Sequence, residues 1–235
     1  SRNPRLSDYD YLRSIYAEYA KLSTKPVEFH RFALINDDYT LRRENTYLFI
    51  GIDDFDSPYG MCTTYAGALL TKKLVLSNAD LLDYPLLVRL NPNIPMKTRG
   101  NAAVSIRILV KGDIERIKRI VLDTLRGMTH AFFPKTRPAI IFYVVDRYAI
   151  DKRLFYIYRH ATRHVVPLNR AMKVLEGIKT GILEIYTTTM GRPRGVIGAA
   201  AAIGAVFDDY TFELLAYRKK QNIGKRRFID RESVV

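Results

Sequence analysis

The chain is poor in the residues that build cross-links and membrane spans. Its 235 residues include one cysteine, Cys62, which excludes an internal disulfide and a thiolate zinc cluster and fits a reducing compartment. No histidine lies near Cys62 in sequence, so it reads as a buried or helix-capping residue rather than a nucleophile. No segment approaches the roughly 20 consecutive apolar residues that a bilayer-spanning helix needs, and no basic segment followed by an apolar core opens the sequence. The expectation is a soluble, cytoplasmic protein with no membrane partner. Internal repeats and low-complexity runs are absent as well. Acidic residues are in the minority, 24 against 38 basic ones, for a net charge of +14. That balance suits a polyanionic partner, nucleic acid first, better than a neutral metabolite alone. A lysine-rich surface of the thermophile kind gives the same excess without a ligand.

What is present is enough apolar material, 48% of residues, for a real core in one large or two modest domains, and two are expected. Residues 1–46 carry Tyr9, Tyr11, Leu12, Ile15, Tyr16 and Tyr19 at approximate helical spacing, an amphipathic helix in an N-terminal extension. Strands are expected at Tyr47–Ile52, Leu86–Leu90, Ala103–Val110, Ile140–Val145, Ile182–Thr187 and Phe212–Tyr217, where apolar residues alternate or run together. Helices are expected at Thr63–Leu76, Asp113–Ala131 with Asp113 as N-cap, Ala149–Val165, Leu168–Ile178 and Gly195–Ala205. Pro134 and Pro138 place a boundary near residue 135, giving domains over 47–135 and 136–235. Alternating strands and helices make the fold class α/β (α+β), the second domain an α/β sandwich of ferredoxin-like type.

The chemistry concentrates in YLFIGIDDFDSPYGMCTTY, residues 47–65, where a strand ends in Asp53, Asp54 and Asp56 and a Ser-Pro-Gly turn leads to Thr63 and Thr64. Loops at the carboxyl end of a strand and the N–H groups of the following helix form a natural anion site. Three aspartates tolerate a triphosphate only with a hard cation between them, and Mg2+ is the natural choice because it takes one or two carboxylates and completes its shell with water and phosphate. The same residues also compose an ordinary polar turn. A second segment, RLNPNIPMKTRGNAAV over 89–104, sets Lys97, Arg99, Gly100 and Asn101 in a loop longer than a plain connector requires. The basic pair suits phosphate oxygens, and the glycine permits close backbone approach. A third, GRPRGVIGAAAAIGA over 191–205, opens a small-residue helix with Arg194 and Gly195; it is not a Walker motif, and tight packing explains its alanines equally well. His160 and His164 stand four apart, but Arg159 and Arg163 beside them oppose a cation, so they read as structural or surface residues. From Arg218 to Arg231 the chain carries Arg218, Lys219, Lys220, Lys225, Arg226, Arg227 and Arg231 against Asp230 alone, either a phosphate-backbone patch or a solvated tail.

Taken in order, IGIDDFDSPYGMCTTY, RLNPNIPMKTRGNAAV and RGVIGAAAAIGA resemble the TiaS family, archaeal synthetases that make agmatidine at the wobble cytidine of the isoleucine tRNA with a CAU anticodon. The similarity extends from about Tyr47 to Asp230 and takes in HVVPLNRAM and ELLAYR. The resemblance implies an ATP- and Mg2+-dependent kinase-like domain followed by a ferredoxin-like domain. It implies a reaction in which ATP phosphorylates the C2 carbonyl oxygen of cytosine and the primary amine of agmatine displaces the phosphate. The family's acidic triad falls on Asp53, Asp54 and Asp56, and its autophosphorylated threonine on Thr63. The chain departs from the pattern at Phe55, where the family carries threonine, and at Ala102, where it carries glycine. The family's OB-fold and zinc ribbon lie outside this sequence. Two expectations follow: an RNA-modifying enzyme, with a partner supplying the missing modules, or a catalytically impaired paralogue that binds structured RNA or the ribosome.

Overall fold

A computed structural model describes residues 27–41, 45–57, 61–97, 100–129, 135–188, 192–207 and 211. The expected N-terminal helix, the strand at Phe212–Tyr217, Arg99 and the basic stretch from Arg218 lie outside the described residues. The strands are β1 (His30–Ile35), β2 (Thr46–Asp53), β3 (Asp80–Leu81), β4 (Leu86–Arg89), β5 (Ala102–Val110), β6 (Ala139–Val145) and β7 (Ile182–Thr187). The helices are α1 (Thr63–Leu76), α2 (Ile114–Leu125), α3 (Lys152–Ala161), α4 (Leu168–Leu175) and α5 (Gly195–Ile203). The strands form one antiparallel sheet in the order β1-β7-β6-β2-β5-β3, with β4 also pairing β5.

The alternation read in the sequence sorts the side chains to two faces. Leu48, Ile50 and Ile52 of β2, with Val104, Ile106 and Ile108 of β5, pack against Ala66, Leu70 and Leu74 of α1 and Val121 and Leu125 of α2. Phe49, Ile141, Tyr143 and Leu183 face the opposite way, against α3, α4 and α5. Strand β6, AIIFYVV, is buried throughout because helices cover both of its faces, which is why it reads as a continuous apolar run. Each fully buried phenylalanine or isoleucine contributes about 1.5–3 kcal/mol. β2 pairs β6 from Tyr47 opposite Val145 to Asp53 opposite Ala139. One sheet therefore runs across residue 135, where the prolines suggested a boundary.

Caps and glycines set the helix ends. Asp113 caps α2, as its position predicted, by accepting a 2.9 Å hydrogen bond from the Glu115 N–H. Asp113→Ala is expected to lower stability by about 1 kcal/mol, read as a shift in the denaturation midpoint. Three helices are shorter than their apolar stripes implied. α2 stops at Leu125 just before Gly127, α3 stops at Ala161, and α4 stops at Leu175 before Gly177. Strand β1 had no clear signal, because as an edge strand it leaves Phe32 and Leu34 exposed and its alternation does not mark a buried face.

One approach between layers is unusually close. A Cβ placed on Gly51 would lie 2.2 Å from the carbonyl oxygen of Ala199, so α5 rests directly on the backbone of β2. The alanine-rich sequence of α5 is the other half of that contact, with Ala199, Ala200, Ala201 and Ala202 fully buried.

Candidate active site

β2 ends at Asp53, and beyond it the backbone turns at Asp54, which holds a left-handed φ of 62°. Aspartate tolerates that region better than most residues. The turn distributes the side chains in three directions. Asp53 faces α5, where only a glycine at 198 leaves room, since a Cβ there would sit 1.8 Å from Asp53 Oδ2. Asp54 Oδ2 accepts from the Arg137 N–H at 3.1 Å and from Arg194 Nε at 3.3 Å. Arg194 also donates through Nη2 to the carbonyl of Lys135. Asp56 Oδ2 accepts from the Thr63 hydroxyl at 3.2 Å, and its carbonyl accepts from Thr136 Oγ1 at 2.6 Å.

Thr63, the first residue of α1, is buried behind Asp56, and its Oγ1 also accepts from the Phe55 N–H at 3.2 Å. It does not line the cleft in front of the aspartates. The Thr63 hydroxyl is thus engaged as both donor and acceptor, whereas Thr64 is half-buried, its hydroxyl 2.8 Å from Cys62 Sγ. Phe55 turns into the core on the α1 side and meets Phe29 at a ring-centroid distance of 6.0 Å. The departure at this position therefore alters core packing and not the lining of the cleft. Ala102 is an ordinary strand residue opposite Arg89.

The cleft is open to solvent. Asp53, Asp54 and Asp56 line its floor, Lys97, Gly100 and Asn101 one wall, and Arg194, Gly195, Ile197 and Gly198 another. The three segments singled out in the sequence thus meet at one place, the end of the sheet where β2 and β4 finish and β5, β6 and α5 begin. The wall segment is held by its own asparagines: Asn101 Nδ2 donates to Asn91 O at 2.8 Å, and Asn91 Nδ2 donates to Arg163 O at 3.2 Å. Lys97 Nζ donates to Pro92 O within the loop. At α5, two first-turn N–H groups are already bonded backward, Val196 to Pro193 O at 3.1 Å and Ile197 to Arg194 O at 3.0 Å. The cationic component on this wall is the Arg194 guanidinium.

Sequence reasoning missed part of the lining. His164, Val165 and Val166, from the turn after α3, close one side with Leu90, Ile94 and Met96. The Arg137 backbone N–H reaches the acidic turn, a contact that no side-chain pattern encodes. His164 stands out in the sequence for its spacing from His160 and for opening the motif HVVPLNRAM, but there it reads as a structural or surface residue.

Electrostatically the floor is unfavourable as it stands. Burial raises the Asp53 carboxyl well above the ordinary carboxylate range, and the charges of Asp54 and Asp56 add to the rise. Burial likewise raises Asp54 from 3.8 to about 6, against the opposing pull of Arg194 and the Arg137 N–H. The donor set is hard carboxylate oxygen, and the repulsion within it is what a hard cation relieves. Among the described residues no group of three or more His, Cys, Asp or Glu side chains is placed to hold a metal ion. Arg194 engages Asp54, and Thr63 engages Asp56. The residues fit a cation bound by one or two of these carboxylates and completed by ligand oxygens, the habit of Mg2+.

The chain matches the TiaS TCKD domain over residues 49–121 and the TiaS FLD domain over residues 193–235. It is 42% identical over 194 residues to the isoleucine-tRNA 2-agmatinylcytidine synthetase TiaS of Pyrococcus horikoshii, covering 80% of this chain and 42% of that protein. It is 40% identical over 193 residues to the synthetase of the same name from Methanosarcina mazei, covering 79% and 43%. Among solved structures it resembles the complex of TiaS with its isoleucine tRNA and ATP, with TM-score 0.66 and 32% identity over 80% of this chain and 43% of that one. It also resembles the complex of TiaS with the same tRNA, AMPCPP and agmatine, with TM-score 0.63 and 31% identity over the same shares. The chain spans less than half the length of these relatives.

Proposed function

The chain belongs to the TiaS family, over its kinase-like and ferredoxin-like domains, and from that premise we propose that it is an ATP-dependent RNA-modifying enzyme whose cleft binds ATP with Mg2+. The observation that carries the reading is the meeting of Asp53, Asp54 and Asp56 with Lys97, Asn101 and Arg194 in one cleft, in a chain similar to a synthetase solved with ATP and tRNA. The substrate is the wobble cytidine of the isoleucine tRNA with the CAU anticodon, and the amine is agmatine. A phosphoryl group from ATP passes to the cytosine O2 and the remaining nucleotide leaves; the agmatine nitrogen then bonds C2 and gives up a proton as the C2–O bond breaks to release phosphate.

Within this reading the residues divide the work. Asp53 and Asp54 would hold Mg2+, which supplies charge neutralisation at the phosphates when bound. Lys97 and Arg194 bind phosphate oxygens, with Arg99 joining them on the same loop. Gly100, Asn101 and Gly195 form the backbone walls the nucleotide lies against. Asp56 orients the Thr63 hydroxyl for the phosphorylation that the family resemblance assigns to it. Catalysis of phosphoryl transfer consists largely of positioning and charge stabilisation, which such a set can provide. The basic residues Arg218, Lys219, Lys220, Lys225, Arg226 and Arg227 bind the RNA backbone.

Calorimetric titration with ATP, with and without Mg2+, tests the proposal. Binding is expected with Mg2+, and at least roughly tenfold weaker without it, on the order expected when a phosphate-bridging cation is removed. Salt-sensitive RNA binding with no ATP binding would assign the chain instead to the non-catalytic RNA-binding role.

A further inference from the structure

The side of the cleft formed by His164, Val165 and Val166 is shared with a second depression, which also includes Tyr156, His160 and Arg170. Tyr156, His160 and His164 recur at four-residue intervals along α3 and the turn that follows it, so their rings come out on one side. The Tyr156 and His160 rings lie 3.8 Å apart between centroids at 31°, and His160 and His164 follow at 6.0 Å. Arg170 of α4 reaches across to donate to the Tyr156 hydroxyl at 2.8 Å. No carboxylate lines the depression, and Arg159 and Arg163 are exposed on the same segment. A metal has no place here, since among the described residues no third ligand joins the two histidines.

Planar rings beside guanidinium groups, without acidic neighbours, are what a single-stranded nucleic acid meets on a stacking surface. Resting on the reading of the neighbouring cleft as an RNA-modifying site, we propose that this depression is a stacking subsite for an unpaired nucleotide of the RNA, adjacent in the strand to the one that enters the cleft. Its base lies against the His160 and His164 rings, and Arg170 takes the phosphate. The shared wall accounts for the placement, because a strand leaving the cleft over Val165 and Val166 arrives at these rings.

The test uses the full chain and a fluorescein-labelled single-stranded RNA heptanucleotide, measured by anisotropy without ATP, with Mg2+-ATP affinity measured separately. His160→Ala is expected to weaken RNA binding roughly 5- to 150-fold, the range for losing one base-stacking ring. His160→Phe keeps a ring and is expected to restore most of the affinity. The exposed Arg170→Gln is expected to reduce the slope of log affinity against log salt by about 0.7, the value for one phosphate contact on a single strand. ATP affinity is expected to stay within about twofold of wild type in all three variants, since none of these residues lines the acidic cleft. Unchanged RNA binding in His160→Ala, or no RNA binding by the wild type, would overturn the proposal. An equal loss of ATP affinity would overturn it too, by giving the depression to the base of ATP. If wild type and variants all fail to bind ATP while the RNA effects remain, the subsite stands and the catalytic reading falls.

Discussion

Asp53→Asn is expected to lower Mg2+-dependent ATP turnover on the order of a hundredfold or more, and at the same time to raise the melting temperature of the ligand-free chain at pH 7.5. Both effects come from one carboxylate. Asp53 is pressed between β2 and Gly198, where burial and the charge of Asp54 make ionisation costly. Asparagine keeps the shape and the accepting oxygen but carries no charge, so it relieves the repulsion and removes a ligand for the cation. Loss of activity with a gain in stability is the mark of a group kept for function. A decrease in both would point to a structural role for Asp53, and unchanged turnover would remove the basis of the catalytic reading.

The same cluster predicts a pH dependence with a definite sign. A carboxyl raised in the folded state binds its proton more tightly there than in the unfolded chain. Its contribution is therefore fully present below the unfolded value and is lost as pH rises through the folded one. For Asp54, moving from 3.8 to about 6, the loss falls between roughly pH 4 and pH 7 and corresponds to about 3 kcal/mol. The ligand-free wild type is expected to lose more stability across this window than Asp53→Asn, because the Asp53 carboxyl is also raised in the folded state and asparagine has no proton to lose. Denaturant midpoints measured at pH 4.5, 6 and 7.5 on both proteins would show it.

Gly51→Ala is expected to cost about 3 kcal/mol, the upper part of the range for overpacking a well-filled interior, and to lower the melting temperature by roughly 6–12 °C for a chain of this size. The new methyl would meet backbone, the Ala199 carbonyl at 2.2 Å, with Ile203 Cγ1 at 2.9 Å. A side chain can rotate away from such a clash, but a carbonyl in the middle of a helix moves only with the helix. α5 would have to lift off β2, taking Arg194, Gly195 and Gly198 out of register with the acidic turn. ATP affinity is thus expected to fall together with stability, although Gly51 lines no part of the cleft. Full nucleotide binding in a destabilised Gly51→Ala protein would show that the α5 wall is dispensable for binding.

What could be read from the sequence follows from interactions that are local along the chain. The apolar run of β2, the alternation in β5 and the helical stripe in α2 are consequences of one residue's position relative to the next few, and they located these elements. The acidic turn, the asparagine-rich loop and the small-residue helix announced themselves by composition, because each concentrates groups that are costly or pointless elsewhere. The exposed edge strand β1 has no such local requirement and left no clear pattern. Tertiary structure alone decided that the three segments share a cleft, that Arg194 pairs with Asp54 across 140 positions, and that His164 closes a wall opposite the aspartates. It also decided that Phe55 belongs to the core and Thr63 lies behind Asp56, since the φ of 62° at Asp54 sets the direction of the residues that follow. Contacts between distant residues depend on the crossing of layers, and the van der Waals fit of Gly51 and Gly198 against α5 and Asp53 exists only once those layers have met.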